Sequence, residues 1–330
     1  MSSMPLNRRR LIFALSAAAA GIHCSASALA ESWPSKTIRI VVPFPAGGSA
    51  DLSARLLADH LSAVLGQPVV VESKVGAGGN LAAAEAARSN ADGHTLFFGT
   101  NGTQTINQSL YRKIPYDPAA DFEAIAMIWE APHLMVVHPS VPASSLDAFI
   151  AYARANSGKL SYGSSGVGSS THLYGEMFKA ATNLDITHVP YRGQGPALTD
   201  LIGGQFQVMF PIVPDVIAHV RGGKVRAIAL AAARPSVDLP DVALMPQLGH
   251  PDLVASAWTA LYVPVKTPPT VITRLRAEVA ALMTSPVFIE RMKEVGIQIR
   301  TMGVDGFEAF TREERARWAT TIDSLKVKID

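Results

Sequence analysis

Three times the chain passes from a short apolar run, through a loop of small residues, into an amphipathic helix. Few folds accommodate that pattern. The first instance covers residues 38–60. A buried strand at Ile38–Val42 enters a Pro/Gly loop carrying Gly47, Gly48 and Ser49. A helix follows, with Asp51 at its start and Leu52, Leu56, Leu57 and Leu61 on one face. The second runs from Val69–Glu72 through GAGGN (76–80) to a helix at Leu81–Arg88. The third runs from Leu160–Tyr162 through GSSGVGSST (163–171) to a helix beginning near His172. The first turn of a helix has unpaired N–H groups and the positive end of the dipole. Small residues there let an anion approach. Three such loops imply a site built from helix N-termini and backbone amides, with a small carboxylate as its guest.

Strand and helix signals alternate along most of the chain, which predicts an α/β fold with largely parallel sheets. His94–Gly99 reads as a strand ending in a polar loop, TNGTQTIN (100–107). Helices are expected at Ser145–Ala155, Thr171–Ala181, Leu198–Gly203 and Val216–Arg221, and strands at Ile186–Val189, Val208–Ile212 and Val225–Leu230. C-terminal helices are expected at Thr270–Thr284, Val287–Val295 and Gly306–Leu325. Two long extended runs stand apart. Phe122–Trp129 and His133–His138 flank Pro132, and Leu253–Val263 repeats that character. Both read as strands crossing between two bodies. The expected division is a discontinuous first lobe, 31–131 plus 253–330, and a second lobe, 132–252.

The first thirty residues read as an export signal. Arg8, Arg9 and Arg10 precede an apolar stretch, Leu11–Ile22, and Ala28-Leu29-Ala30 fits a cleavage site, so the mature chain is expected to begin at Glu31. The whole chain of 330 residues has a formal charge of +2. The signal holds three arginines and no acid, so the remainder is near −1. Cys24 is the sole cysteine, which removes zinc–thiolate chemistry and a cysteine nucleophile from the mature chain. No basic tract points to nucleic acid, and no second apolar stretch to a membrane span.

The loops match no nucleotide fingerprint. PFPAGGSAD (43–51) lacks the Gly-Lys-Ser/Thr of a Walker loop, and GSSGVGSST lacks the third glycine of GxGxxG. Nor does any window there match the G-x-S-x-G elbow of hydrolases. A secreted hydrolase using Ser165 or Ser169 with His172 is the rival from another class. His172 reads better as a capping or packing residue, His188 as structural, and Trp258 as hinge packing. The nine histidines show no metal spacing. No cofactor, metal or catalytic set is expected.

Five segments, taken in order, closely resemble the Bug (TctC-like) family of periplasmic solute receptors of tripartite tricarboxylate transporters. They are WPSKTIRIVVPFPAGGSAD (33–51), VVVESKVGAGGN (69–80), YGSSGVGSSTHL (162–173), VPYRGQGPALTDLIGGQ (189–205) and AWTALYVP (257–264). The resemblance spans essentially the whole mature chain. It implies a two-lobed, hinge-closing binding protein of periplasmic-binding type II topology, each lobe a mostly parallel sheet flanked by helices. It implies a monomer in the periplasm that hands a small carboxylate to membrane permease subunits. A periplasmic sensor presenting its ligand to a signalling partner is the alternative within that fold.

Carried over residue by residue, the resemblance puts Phe44, Pro45, Ala46, Gly47, Gly48 and Ser49 against the ligand. Asn101, Thr103 and Gln104 line the same lobe. Ser164, Ser165, Gly168, Ser169 and Thr171 offer donors from the second lobe, with Tyr191, Arg192 and Gly193 at its rim. One position departs from the family: Pro211 follows Val208-Met209-Phe210 where Asp or Asn is frequent. If that acid meets a ligand amine elsewhere in the family, its absence favours an aromatic, keto or dicarboxylic acid here.

Overall fold

The computed structural model describes residues 33–329. The expected export signal and cleavage site lie outside the described residues.

The chain opens with β1 (Ile38–Val42), α1 (Ser49–Leu65), β2 (Val69–Ser73), α2 (Asn80–Ala87) and β3 (Thr95–Thr100). A π-helical turn (Gly102–Ile106) and short α3 (Asn107–Leu110) lead to the long β4 (Phe122–Pro132). Next come β5 (Leu134–Val137), α4 (Leu146–Ala155), β6 (Leu160–Ser164), α5 (Ser170–Thr182) and β7 (Ile186–Pro190). Then follow α6 (Gln194–Ile202), β8 (Val208–Met209), α7 (Val213–Arg221) and β9 (Arg226–Leu230). The chain ends with β10 (Ser256–Pro264), α8 (Pro269–Met283), α9 (Pro286–Glu294) and α10 (Val304–Leu325).

Two five-stranded sheets form, in the orders β2-β1-β3-β10-β4 and β7-β6-β8-β5-β9. Each anchors one α/β lobe. The largely parallel sheets expected from the sequence are mixed. β1 pairs in parallel with β2 and β3, and β6 with β7 and β8. Helical crossovers produce these pairs. β10 runs antiparallel to both β3 and β4, and β5 to both β8 and β9. β5 and β10 each follow a passage of the chain between the sheets and enter from the opposite end.

The passage is tight. Pro132 closes β4 in the first sheet, and two residues later Leu134 opens β5 in the second. His133 sits between them, its N–H donating to the Ala255 carbonyl and its own carbonyl accepting from Ala231.

Each sheet is covered on both faces. In the first lobe, Leu57 and Leu61 of α1 pack with Leu275 and Val279 of α8. Across the sheet, Ala82, Ala83 and Ala86 of α2 pack with Trp258 and Phe307. In the second lobe, α4 and α5 bury Phe149 and Phe178 on one face, and α6 and α7 bury Leu201 and Val216 on the other. A smaller cluster joins the lobes: Ile106, Leu110, Trp318 and Ile322 meet Leu173 of α5.

The segment 100–107 is a correction. It is no loop: Thr100 ends β3, residues 101–107 are helical, and all are buried. Its threonine hydroxyls are used internally: the Thr105 hydroxyl donates to the Asn101 carbonyl at 2.7 Å, and Thr103 Oγ1 accepts from the Thr100 N–H at 3.0 Å. α6 and α7 also begin earlier than their apolar periodicity suggests, at Gln194 and Val213.

Candidate functional site

Between the lobes lies a cleft of about 510 Å³, walled by residues of both sheets' connecting loops. The first wall is the loop after β1. Phe44, Pro45, Ala46, Gly47, Gly48 and Ser49 all line the cleft. Gly47 has φ +94°, the left-handed region in which a side chain is strained. Gly48, the N-cap of α1, has φ −83°. It needs no glycine freedom, and a side chain there would meet nothing within 4 Å, so it would project into open space. The positive-φ requirement thus falls on Gly47.

The amides of this loop are not all free. Gly47 N–H donates to Asp51 Oδ2 at 3.0 Å, and Ser49 N–H donates to Asp215 Oδ1, also at 3.0 Å. Asp215 belongs to α7 of the second lobe, so this bond spans the cleft.

The opposing wall is the loop between β6 and α5. Ser165 and Ser169 line the cleft, together with Ser170. The other expected residues of this loop build it. Thr171 Oγ1 accepts from Ser165 N–H at 2.9 Å and lies 3.0 Å from Ser165 Oγ and 2.9 Å from Ser169 Oγ. Ser164 Oγ lies 2.6 Å from His188 Nε2, and Gly168 N–H donates to His172 Nδ1 at 3.2 Å. Those two imidazoles stack with centroids 4.1 Å apart. Ser164, Gly168 and Thr171 are thus scaffold beneath the cleft surface.

Asn101 lines the cleft; Thr103 and Gln104 do not. They are buried in the π turn, and the Gln104 carbonyl accepts from Arg315 Nε at 3.0 Å. Tyr191 and Gly193 are also outside the lining. The Tyr191 hydroxyl donates to Asp200 Oδ2 at 2.8 Å. Gly193, at φ +120°, lies so near the first lobe that a Cβ would sit 2.9 Å from Pro45 Cγ. It closes the rim. Arg192 is exposed and off the lining.

Several lining residues were not expected from the sequence. Gln194, Gly195 and Thr199 come from α6, Asp215 and His219 from α7, and Trp129, Trp258 and Thr259 from the crossing strands. Trp258 also packs edge-on against Phe307 of the same lobe. Gln194 Nε2, Trp258 Nε1 and Thr259 Oγ1 are buried and find no hydrogen-bond partner in the protein. Buried polar groups are normally satisfied, so three orphan donor groups in one cleft mark where acceptors of a guest belong.

Among the described residues no lysine or arginine lines the cleft, and Asp215 is its sole carboxylate. Burial raises the Asp215 carboxyl above its ordinary range, opposed in part by the hydrogen bonds from Ser49. The premise drawn from Pro211 weakens accordingly, because an acid reaches the cleft four residues later.

The arrangement is unsuited to nucleophilic catalysis. Ser169 Oγ donates to the Gly166 carbonyl, and the His172 ring takes the Gly168 amide. The Ser164–His188 pair lies off the lining, and burial holds the His188 imidazole at about 3. Among the described residues no cluster of three or more His, Cys, Asp or Glu side chains could hold a metal ion. None of the described helices is long and apolar enough to cross a membrane.

The family described as "Tripartite tricarboxylate transporter family receptor", TctC, matches residues 53–327. The chain belongs to the TctC family. This TctC protein is 34% identical to Protein BugT of Bordetella pertussis over 327 residues, 99% of this chain and 100% of the relative. Among solved structures, an R. palustris protein with adipate superposes with a TM-score of 0.85 at 33% identity, covering 90% of this chain and 99% of that one. The periplasmic binding protein BugD gives 0.84 at 30%, covering 90% and 99%. MatC from Rhodopseudomonas palustris with bound malate gives 0.83 at 31%, covering 88% and 100%. TctC proteins are solute-binding receptors, so the hydrolase alternative is set aside.

Proposed function

We propose that this protein is a periplasmic receptor that captures a small carboxylate between its lobes for the membrane permease of a tripartite tricarboxylate transporter. In this reading the chain is cut after Ala30 and acts as a monomer. Residues 31–131 and 253–330 form one lobe and 132–252 the other, with the passages at Pro132–Leu134 and Leu253–Ser256 as hinges. The observation that carries the reading is the cleft itself. Neutral donors from both lobes converge on it, three of them buried without a partner among the described residues, and no described lysine or arginine lines it. Neutral and backbone donors bind a carboxylate through charge-assisted bonds that strengthen in a desolvated site. The adipate and malate held by two structural relatives agree with that chemistry.

Thermal-shift screening of the mature chain against a carboxylate panel tests it. A ligand at ~100 times its dissociation constant adds about 2.7 kcal/mol to stability, which raises the melting temperature by several degrees. Stabilisation by sugars or simple amines, and by no carboxylate, would overturn the reading.

A further inference from the structure

We propose that Asp215 sets the class of carboxylate this cleft accepts, favouring one that also carries an ammonium group over a dicarboxylate of the same length. The proposal rests on the carboxylate-receptor reading and narrows it.

The argument is one of charge balance in an enclosed space. Asp215 lines the cleft from the first turn of α7, and its Oδ1 takes the Ser49 N–H of the facing lobe at 3.0 Å. No lysine or arginine shares the lining. The other titratable group there is His219, one turn further along α7. With Asp215 ionised, a monocarboxylate entering this cleft makes two negative charges and a dicarboxylate three; burial already disfavours the charge on Asp215. Like charges brought together out of water repel strongly, whereas an ammonium opposite a buried carboxylate is attracted with little screening. The hydrogen bonds from Ser49 only partly offset the burial of Asp215. An incoming cation would complete that compensation.

The two ends of such a guest find different surroundings. The orphan donors of Gln194, Trp258 and Thr259 and the hydroxyl of Ser165 suit its carboxylate. Asp215 suits its amine. The α1 terminus, expected from the sequence to grip the ligand's carboxylate, already has one of its amides committed to Asp215.

The test is calorimetric affinity of the mature protein and of Asp215→Asn for two matched sets. One is butanoate, 4-aminobutanoate, 2-aminobutanoate and succinate. The other is hexanoate, 6-aminohexanoate, 2-aminohexanoate and adipate. Urea midpoints first establish that the variant folds; asparagine keeps the shape and can still accept the Ser49 N–H. In the better-fitting set, the stronger amino acid should bind at least tenfold tighter than the dicarboxylate. That ratio should fall at least tenfold in Asp215→Asn, with the dicarboxylate gaining. If the dicarboxylate binds the native protein as well as the amino acids do, or the variant leaves the ratio unchanged, the role of Asp215 is refuted and the carboxylate reading survives. If no probe binds either protein, both fall.

Discussion

At the scale of the residue, two glycines in one loop do different work. Gly47 holds a left-handed turn, and Gly48 holds open space. A bulky residue at 48 should therefore act by occupying the cleft, with little effect on the backbone. Gly48→Val is expected to lower ligand affinity at least a hundredfold while moving the unfolding midpoint little. Arg192→Ala, at an exposed position off the lining, should change affinity less than threefold. Calorimetry on both variants decides; the reverse ranking would sink the neutral-donor cleft. His133 carries a second prediction. It is fully buried at the passage between the sheets, with Nδ1 2.9 Å from the Phe210 carbonyl, and burial lowers its pKa to about 4. A free histidine titrates near ~6.5. As pH falls, the unfolded chain takes up the proton first, so the stability this residue contributes is whole above pH ~6.5 and is lost as pH drops through about 4. The loss is on the order of 3 kcal/mol. Urea midpoints at pH 7 and pH 4 should show a smaller drop for His133→Gln than for the native protein. An equal drop would place the titration elsewhere.

At the scale of the element, what was legible in the sequence follows from what periodicity can carry. β1, α1, β6 and α5 were readable because apolar spacing and small loops mark them. The crossing strands were readable because uninterrupted apolar runs flank a proline. The buried turn at Gly102–Ile106 was not, since its residues are polar and imitate a solvated loop, although the Thr103 and Thr105 hydroxyls bond the local backbone and the Gln104 side chain is buried. Asp215 was missed for a related reason. The apolar pattern of α7 starts at Val216, whereas the helix starts at Val213 with Pro214 in its first turn. Proline early in a helix is a start signal, and together with an acid one residue later it marked the terminus that faces the cleft. The cluster joining α10 to α5 offers its own test. Trp318 is buried there, and its Nε1 donates to Glu314 Oε2 at 3.1 Å. Trp318→Ala should cost about 3–5 kcal/mol, read as a fall in the urea midpoint. A loss below 1 kcal/mol would mean the cluster is dispensable.

At the scale of the whole molecule, the lobes meet through the apolar cluster around Trp318 and through individual polar contacts, among them Gln298 Nε2 donating to Asp238 Oδ2 at 2.9 Å. The Ser49–Asp215 bond and the close packing of Gly193 on Pro45 lie at the cleft, and the Tyr111 hydroxyl donates to the Val167 carbonyl at 3.4 Å beside it. Such contacts are weak enough to open and specific enough to define a closed form. Small-angle scattering should show a smaller radius of gyration with saturating ligand than without. An unchanged radius would mean that the free protein already populates the closed form.

The strand order of the first sheet has a consequence for the birth of the protein. β10 lies between β3 and β4 and pairs with both, yet it is made more than a hundred residues after them. Until the ribosome has passed Pro264, β3 has no partner on that side and β4 has none at all. The first lobe therefore cannot finish while its own N-terminal half waits. The interleaving that fastens the two lobes into one molecule also delays completion of its first sheet until most of the chain has been made.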